Sequence, residues 1–101
     1  MFQMAFYTYI VTNRHHTVLY TGSTDDIDRR AFEHRDHLIK GFTHSYNCEF
    51  LIWFEAHDTR EAAQNRERSI KRWRRTWKVE LIEAANPEWQ DLSSTVLSEF
   101  R

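Results

Sequence analysis

Residues 6–22 constrain the fold more tightly than any other stretch. Residues 6–12 (Phe6, Tyr7, Thr8, Tyr9, Ile10, Val11, Thr12) are all aromatic or β-branched, the composition of a strand. Asn13, Arg14, His15 and His16 are polar and read as a turn, and residues 17–22 read as a second strand. Setting Thr12 opposite Thr17 leaves a four-residue loop, a common hairpin length. That register predicts Tyr9 directly opposite Tyr20, with both rings on one face of the sheet. Their hydroxyls can then converge on one site. A cross-strand aromatic pair that only packs is the other reading of the same register.

Ser23, Thr24 and Asp25 offer N-cap side chains, and Asp26 and Asp28 suit a first helical turn. A helix over residues 26–38 follows, with an apolar stripe of Ile27, Ala31, His34 and Leu38. Arg30 lies beside that stripe, one turn before His34. A charged group there is costly to bury, so Arg30 and His34 point to a polar cleft at the edge of the core. Residues 40–47 read as a loop containing Gly41, and residues 49–57 as a third strand whose apolar run implies burial on both faces. Asp58 or Thr59 caps a helix running to residue 73, with an inward stripe of Ala63, Ile70, Trp73 and Trp77. Glu67 falls beside that stripe. A third helix covers residues 77–85 and ends at Asn86-Pro87, because the residue before proline disfavours helix. Trp89 is expected to fold back and pack.

The order is strand, strand, helix, strand, helix, helix: an α/β (α+β) chain with one domain over residues 4–92 and a tail over 93–101. A length of 101 residues suits one domain with a modest core. No run is apolar enough for a membrane span, and the first residues lack the features of a signal peptide. One cysteine, Cys48, allows no internal disulfide, reads as a buried structural thiol, and suggests a cytoplasmic protein. His15-His16 lies in a turn without a third ligand nearby and does not read as a metal site. The net charge of −1 hides an uneven distribution. Residues 60–78 hold eight basic side chains, Arg68, Lys71, Arg72 and Arg75 among them, against Glu61 and Glu67. Such a face can meet a nucleic-acid backbone or simply be solvated.

Several segments together resemble a known family. Tyr7-Thr8-Tyr9 stands at a first motif whose usual glycine is absent, and Tyr20-Thr21-Gly22 stands at a second. Arg30 and His34 follow at the matching spacing, and Glu67 sits within Asn65-Arg66-Glu67-Arg68-Ser69-Ile70-Lys71. Gly41-Phe42-Thr43, Tyr46-Asn47, Leu81-Ile82-Glu83 and Asn86-Pro87-Glu88-Trp89 strengthen the likeness. The ordered set resembles the GIY-YIG endonuclease superfamily, specifically its small stand-alone bacterial proteins. The resemblance implies a three-stranded antiparallel sheet flanked by helices and hydrolysis of phosphodiester bonds, in DNA foremost, with one divalent metal. It gives Tyr9 the task of positioning or deprotonating the attacking water, with Tyr20 beside it. Arg30 would stabilise charge on the phosphate, His34 would assist proton transfer or hold the tyrosine, and Glu67 would bind the metal, Mg²⁺ or Mn²⁺. Asn86 is a further polar candidate.

This chemistry is coherent in physical terms. A phosphoryl transition state wants cations and positioned donors, and a guanidinium fork matches phosphate. A lone carboxylate leaves most of an Mg²⁺ octahedron to water and substrate. A free tyrosine titrates near 10, so a tyrosine acting as base needs nearby cations. Other uses of the same residues stay open: Arg30 and Glu67 as a structural ion pair, and His34 as a satisfied core histidine. At the level of the whole chain, a non-catalytic nucleic-acid-binding module competes with the nuclease. A protein adaptor would leave Arg30 and Glu67 without a role. Lys40 joins Arg68, Lys71, Arg72 and Arg75 as expected backbone contacts, and nothing in the sequence calls for an obligate protein partner.

Overall fold

The structure is a computed structural model that describes residues 5–38, 41 and 45–93. Lys40, and all of the expected tail beyond Ser93, lie outside the described residues. The strands are β1 (Phe6–Thr12), β2 (Leu19–Thr24) and β3 (Phe50–His57). They form one antiparallel sheet in the order β2-β1-β3. Among the described residues three helices accompany it: α1 (Ile27–Arg35), α2 (Arg60–Lys71) and α3 (Arg75–Ala85). The α+β architecture expected from the sequence is therefore present.

Alternation along β1 divides the core. Tyr9 and Val11 pack with Ile27 and Ala31 of α1, joined by Cys48 and Leu51. Ile10 faces the other way and packs with Ile70 of α2, Ile82 of α3, Ile52 and Trp53. Consecutive Ile52 and Trp53 share that second cluster because the β1–β3 register shifts between Ile10 and Val11. A bulge of this kind lets two residues of one strand oppose one of its partner. Leu51 and Phe54 meet the first cluster and Ile52 and Trp53 the second, so the apolar run of β3 buries on both sides. Burial pushes the Cys48 thiol up to about 11, as an inert core thiol requires.

The hairpin is longer than the sequence suggests. Tyr9 opposes Gly22, Val11 opposes Tyr20 and Thr12 opposes Leu19, so the loop has residues 13–18 rather than four residues. Asn13 accounts for the difference. Its Oδ1 accepts from the backbone N–H groups of Thr17 (2.9 Å) and Val18 (3.0 Å), and its Nδ2 donates to Thr17 Oγ1 (2.7 Å). These bonds hold Thr17 and Val18 in the loop. The slip is two residues, so every side chain keeps its face, and Tyr20 remains on the face of Tyr9, diagonal to it.

Helix boundaries follow their caps. Asp26 itself caps α1, accepting from Arg29 N–H, so the helix starts one residue later than expected. It ends at Arg35, which leaves Leu38 exposed outside it. Thr59 caps α2 by accepting from Ala62 N–H. The chain breaks helix between Lys71 and Arg75, so α3 starts two residues before the expected helix and contains Trp77, which is 49% exposed rather than inward. Asn86 closes α3, and Trp89 folds back to stack on His16 at 4.8 Å. Ser93 is buried and donates to Asp91 Oδ1 at 2.7 Å, so it belongs to the packed domain rather than to a tail.

Candidate active site

The site gathers around the ring of Tyr9, which is 3% exposed. Its Oη lies 3.1 Å from Nε2 of His34, and the rings meet edge-on at 5.5 Å. β1 supplies the tyrosine and α1 the histidine, because Ile27, Ala31 and His34 form the buried stripe of α1 over the Tyr9 face. The Tyr20 ring is 6.2 Å from His34. Gly22 has a structural reason to be glycine at the point opposite Tyr9. A Cβ there would fall 2.5 Å from Tyr9 Oη and 2.7 Å from its Cζ. The tyrosine ring lies across the glycine backbone.

Arg30 sits one turn before His34 with its Nε buried and without a hydrogen-bond partner among the described residues. Its Nη1 is 3.7 Å from Glu33, a loose contact for an ion pair. The guanidinium is thus held near enough to act on the phenol, with its Nε still without a partner. Glu67 approaches from the other side of the sheet. Ser23 alternates with Gly22 along β2 and faces α2, where its hydroxyl donates to Glu67 Oε1 at 2.6 Å. Lys71 donates to Glu67 Oε2, also at 2.6 Å, and stands 5.5 Å above the Tyr20 ring. Thr8 fixes α2 in this position. It is fully buried, and its hydroxyl donates to the carbonyl of Ala63, one helical turn before Glu67, at 2.8 Å.

The protonation states follow from burial. Desolvation, with Tyr20 next, pushes the Tyr9 phenol well above its ordinary value, and Arg30 pulls against them. The carboxylates of Glu67 and Glu33 raise it further, so the phenol feels Tyr20, Arg30 and Glu67 together. Burial and the Arg30 charge hold His34 down at about 4. At neutral pH both groups are uncharged. If the phenol donates to Nε2, the imidazole proton sits on Nδ1, which is buried and has no hydrogen-bond partner among the described residues. Resting Tyr9 is therefore a phenol paired to a neutral base, not a phenolate.

That pairing has a consequence for stability. An unfolded histidine titrates near 6.5, so between pH 6.5 and 4 the unfolded chain takes up a proton that folded His34 refuses. The contribution is complete above pH 6.5 and is lost as pH falls to about 4, up to roughly 3 kcal/mol. Urea unfolding at pH 7 and pH 4.5 should show this fall in the parent, and a markedly smaller one in His34→Gln. An equal fall in both proteins would place the acid sensitivity elsewhere.

The remaining candidates separate. Arg30 and Glu67 are not paired with each other: Arg30 approaches Glu33, and Glu67 is held by Lys71. Asn86 does not join the cluster. It is buried, its Nδ2 donates to the carbonyls of Ile52 and Gln90, and its Oδ1 accepts from Gln90 N–H. It ties the end of α3 to β3. Arg75 is likewise engaged, with Nη1 and Nη2 donating to the carbonyls of Thr17 (3.1 Å) and His16 (2.6 Å) in the hairpin loop. The helix break also separates it from Arg68 and Arg72, which stay exposed on α2 and its C-cap. Lys71 belongs to the cluster. Ser23 and Glu33 are the residues that sequence reasoning overlooked. Strand alternation after Gly22 was the available signal for Ser23, and the i, i+3 spacing from Arg30 for Glu33.

A metal fits this donor set only in one manner. Among the described residues no three His, Cys, Asp or Glu side chains form a metal-holding group. A carboxylate flanked by a hydroxyl suits a hard, oxygen-seeking cation that keeps most of its water.

A three-stranded antiparallel sheet with a tyrosine–histidine pair, an arginine whose Nε has no partner and a helix-borne glutamate defines the kind of domain. Comparison with known proteins agrees. Residues 5–80 match the model of the GIY-YIG catalytic domain. A UPF0213 protein of Haloquadratum walsbyi is 40% identical over 77 residues, 76% of this chain and 85% of the relative. A UPF0213 protein of Clostridium perfringens is 32% identical over 76 residues, 75% of this chain and 81% of the relative. The solution NMR structure of a UPF0213 protein from Bacillus halodurans shares the fold with a TM-score of 0.55 at 26% identity, covering 87% of this chain and 93% of that one. The chain belongs to the GIY-YIG family, alongside the small UPF0213 proteins. Members of that family are generally endonucleases, which act on nucleic acid. None of the helices among the described residues is long and apolar enough to cross a membrane.

Proposed function

We propose that this chain is an endonuclease hydrolysing phosphodiester bonds in DNA, with Mg²⁺ or Mn²⁺ held at Glu67. The observation that carries the reading is the 3.1 Å contact between Tyr9 Oη and a His34 kept neutral by burial. Attack by water needs a proton acceptor at neutral pH. The tyrosine oxygen can take a proton from water while its own proton passes to His34 Nε2. A relay of this kind replaces a free phenolate with an imidazolium; burial disfavours both, and Arg30 the second, so the negative charge growing on the phosphate has to offset it. Tyr20 borders the same space and orders the water beside Tyr9. Arg30, with a buried unpartnered Nε, answers the charge that grows on the phosphate oxygens. A divalent cation, when bound, would polarise the phosphate and acidify a coordinated water. Glu67 would hold it, with Ser23 orienting the carboxylate. Arg68 and Arg72, with Lys40, are the backbone contacts this reading uses outside the centre.

Arg30→Ala tests the reading at its transition state. Loss of one such contact costs roughly 10²–10³ in rate. Single-turnover cleavage at saturating Mg²⁺ should fall by that factor, with nucleic-acid affinity little changed. A parent-like rate would remove Arg30 from the chemistry.

A further inference from the structure

Both oxygens of Glu67 are engaged, and by different kinds of group. Ser23 Oγ holds Oε1 and Lys71 Nζ holds Oε2, each at 2.6 Å. A hydroxyl carries lone pairs as well as a proton, so Ser23 can turn and accept from a water on an incoming cation. An ammonium has three donors and no acceptor. It cannot share an oxygen edge with a metal, and its charge repels one. Lys71 also spans the cluster, because the same Nζ stands 5.5 Å over the Tyr20 ring. Its side chain is 46% exposed against 20% for Glu67, so the ammonium can swing into solvent while the carboxylate stays.

We propose that Lys71 is a tethered cation that occupies the metal position on Glu67 until nucleic acid arrives. A substrate phosphate at Tyr20 offers the ammonium an alternative anion. Transfer of Lys71 from Glu67 to that phosphate frees Oε2, so nucleic acid and divalent metal bind cooperatively. Lys71 is then a positioning residue that keeps the protein metal-poor in the absence of substrate. This role rests on the reading of Glu67 as metal ligand, and it differs from a plain backbone contact. A plain contact would leave metal affinity unaffected by Lys71.

The test is Mn²⁺ titration by calorimetry at pH 7.5, on the parent, Lys71→Met, Lys71→Arg and Glu67→Gln. Binding present in the parent and absent from Glu67→Gln defines the site. Lys71→Met should bind Mn²⁺ at least tenfold more tightly than the parent, about 1.4 kcal/mol. Lys71→Arg keeps the charge and should stay parent-like, which separates the tethered cation from any packing effect. Repeated with a short thymidine oligonucleotide carrying phosphorothioate linkages, the parent affinity should rise well above its value alone. The gain in Lys71→Met should be smaller, since no lysine remains to be moved. Equal Mn²⁺ affinity in parent and Lys71→Met, or equal gains with the oligonucleotide, would overturn the proposal and leave the metal reading intact. If no protein shows Glu67-dependent binding, even with oligonucleotide, the metal reading itself fails and takes this inference with it.

Discussion

Glu67→Gln should abolish metal-dependent cleavage while leaving nucleic-acid affinity within about a factor of three of the parent, the spread expected for a surface change of under 1 kcal/mol. The amide keeps the volume of the carboxylate, and its carbonyl can still accept from Ser23. What it loses is the anionic oxygen edge that a hard dication requires. The fold should tolerate the change. The Glu67–Lys71 pair is an i, i+4 contact with a half-exposed lysine, and such pairs contribute at most about 1 kcal/mol. The released Lys71 also adds to, rather than subtracts from, the positive face. Cleavage of a labelled substrate and fluorescence anisotropy of the same molecule separate the two effects. Parent-like cleavage by a clean preparation would mean that Glu67 holds no essential metal.

Gly22→Ala adds one carbon and should disable the same site from the opposite side. The new Cβ would meet Tyr9 Oη at 2.5 Å, Cζ at 2.7 Å and Cε1 at 3.0 Å. The ring has little room to retreat, because Tyr9 is packed in a cluster with Ile27, Ala31 and Leu51. Overpacking of this kind costs about 1–3 kcal/mol. Relief by shifting the ring breaks the Tyr9–His34 contact, and misplacement by about 1 Å costs on the order of 10² in rate. Thermal unfolding and single-turnover cleavage should therefore both worsen, whereas Tyr9→Phe should lose the rate with less stability. An active, fully stable Gly22→Ala would show that the Tyr9 ring does not need to lie across this glycine.

Much of the fold was legible because strand periodicity forgives its commonest error. The sequence places Tyr9 opposite Tyr20, and the structure places it opposite Gly22. A two-residue slip preserves the face, so the convergence of the two tyrosines survived a wrong loop. The same slip hid the reason for Gly22, which shows only once Tyr9 is known to be its cross-strand neighbour. Arg30, His34 and Glu67 were legible as polar residues beside apolar stripes. Their partners were not, because Ser23 and Glu33 sit where local pattern alone says only cap or exposed helix. The break between α2 and α3 is a tertiary decision. Residues 72–74 contain neither Gly nor Pro, yet the turn there lets Ile70 and Ile82 enter one core. It also parts Arg75 from Arg68 and Arg72. Charge counts could not show that Arg75 is spent on the hairpin carbonyls, that Arg66 lies 3.1 Å from Glu55, or that Lys71 sits on Glu67.

The proposed activity of this cluster is cleavage of nucleic acid with a divalent metal. Its most direct measurement is incubation of the parent protein with labelled duplex, nicked, branched and single-stranded DNA and with RNA, each with Mg²⁺, with Mn²⁺ and with chelator. Endonucleolytic products are expected from at least one DNA in the presence of metal, and none with chelator. Binding to the panel without cleavage under any metal condition would contradict it, and would identify the chain as a nucleic-acid-binding module that retains the fold.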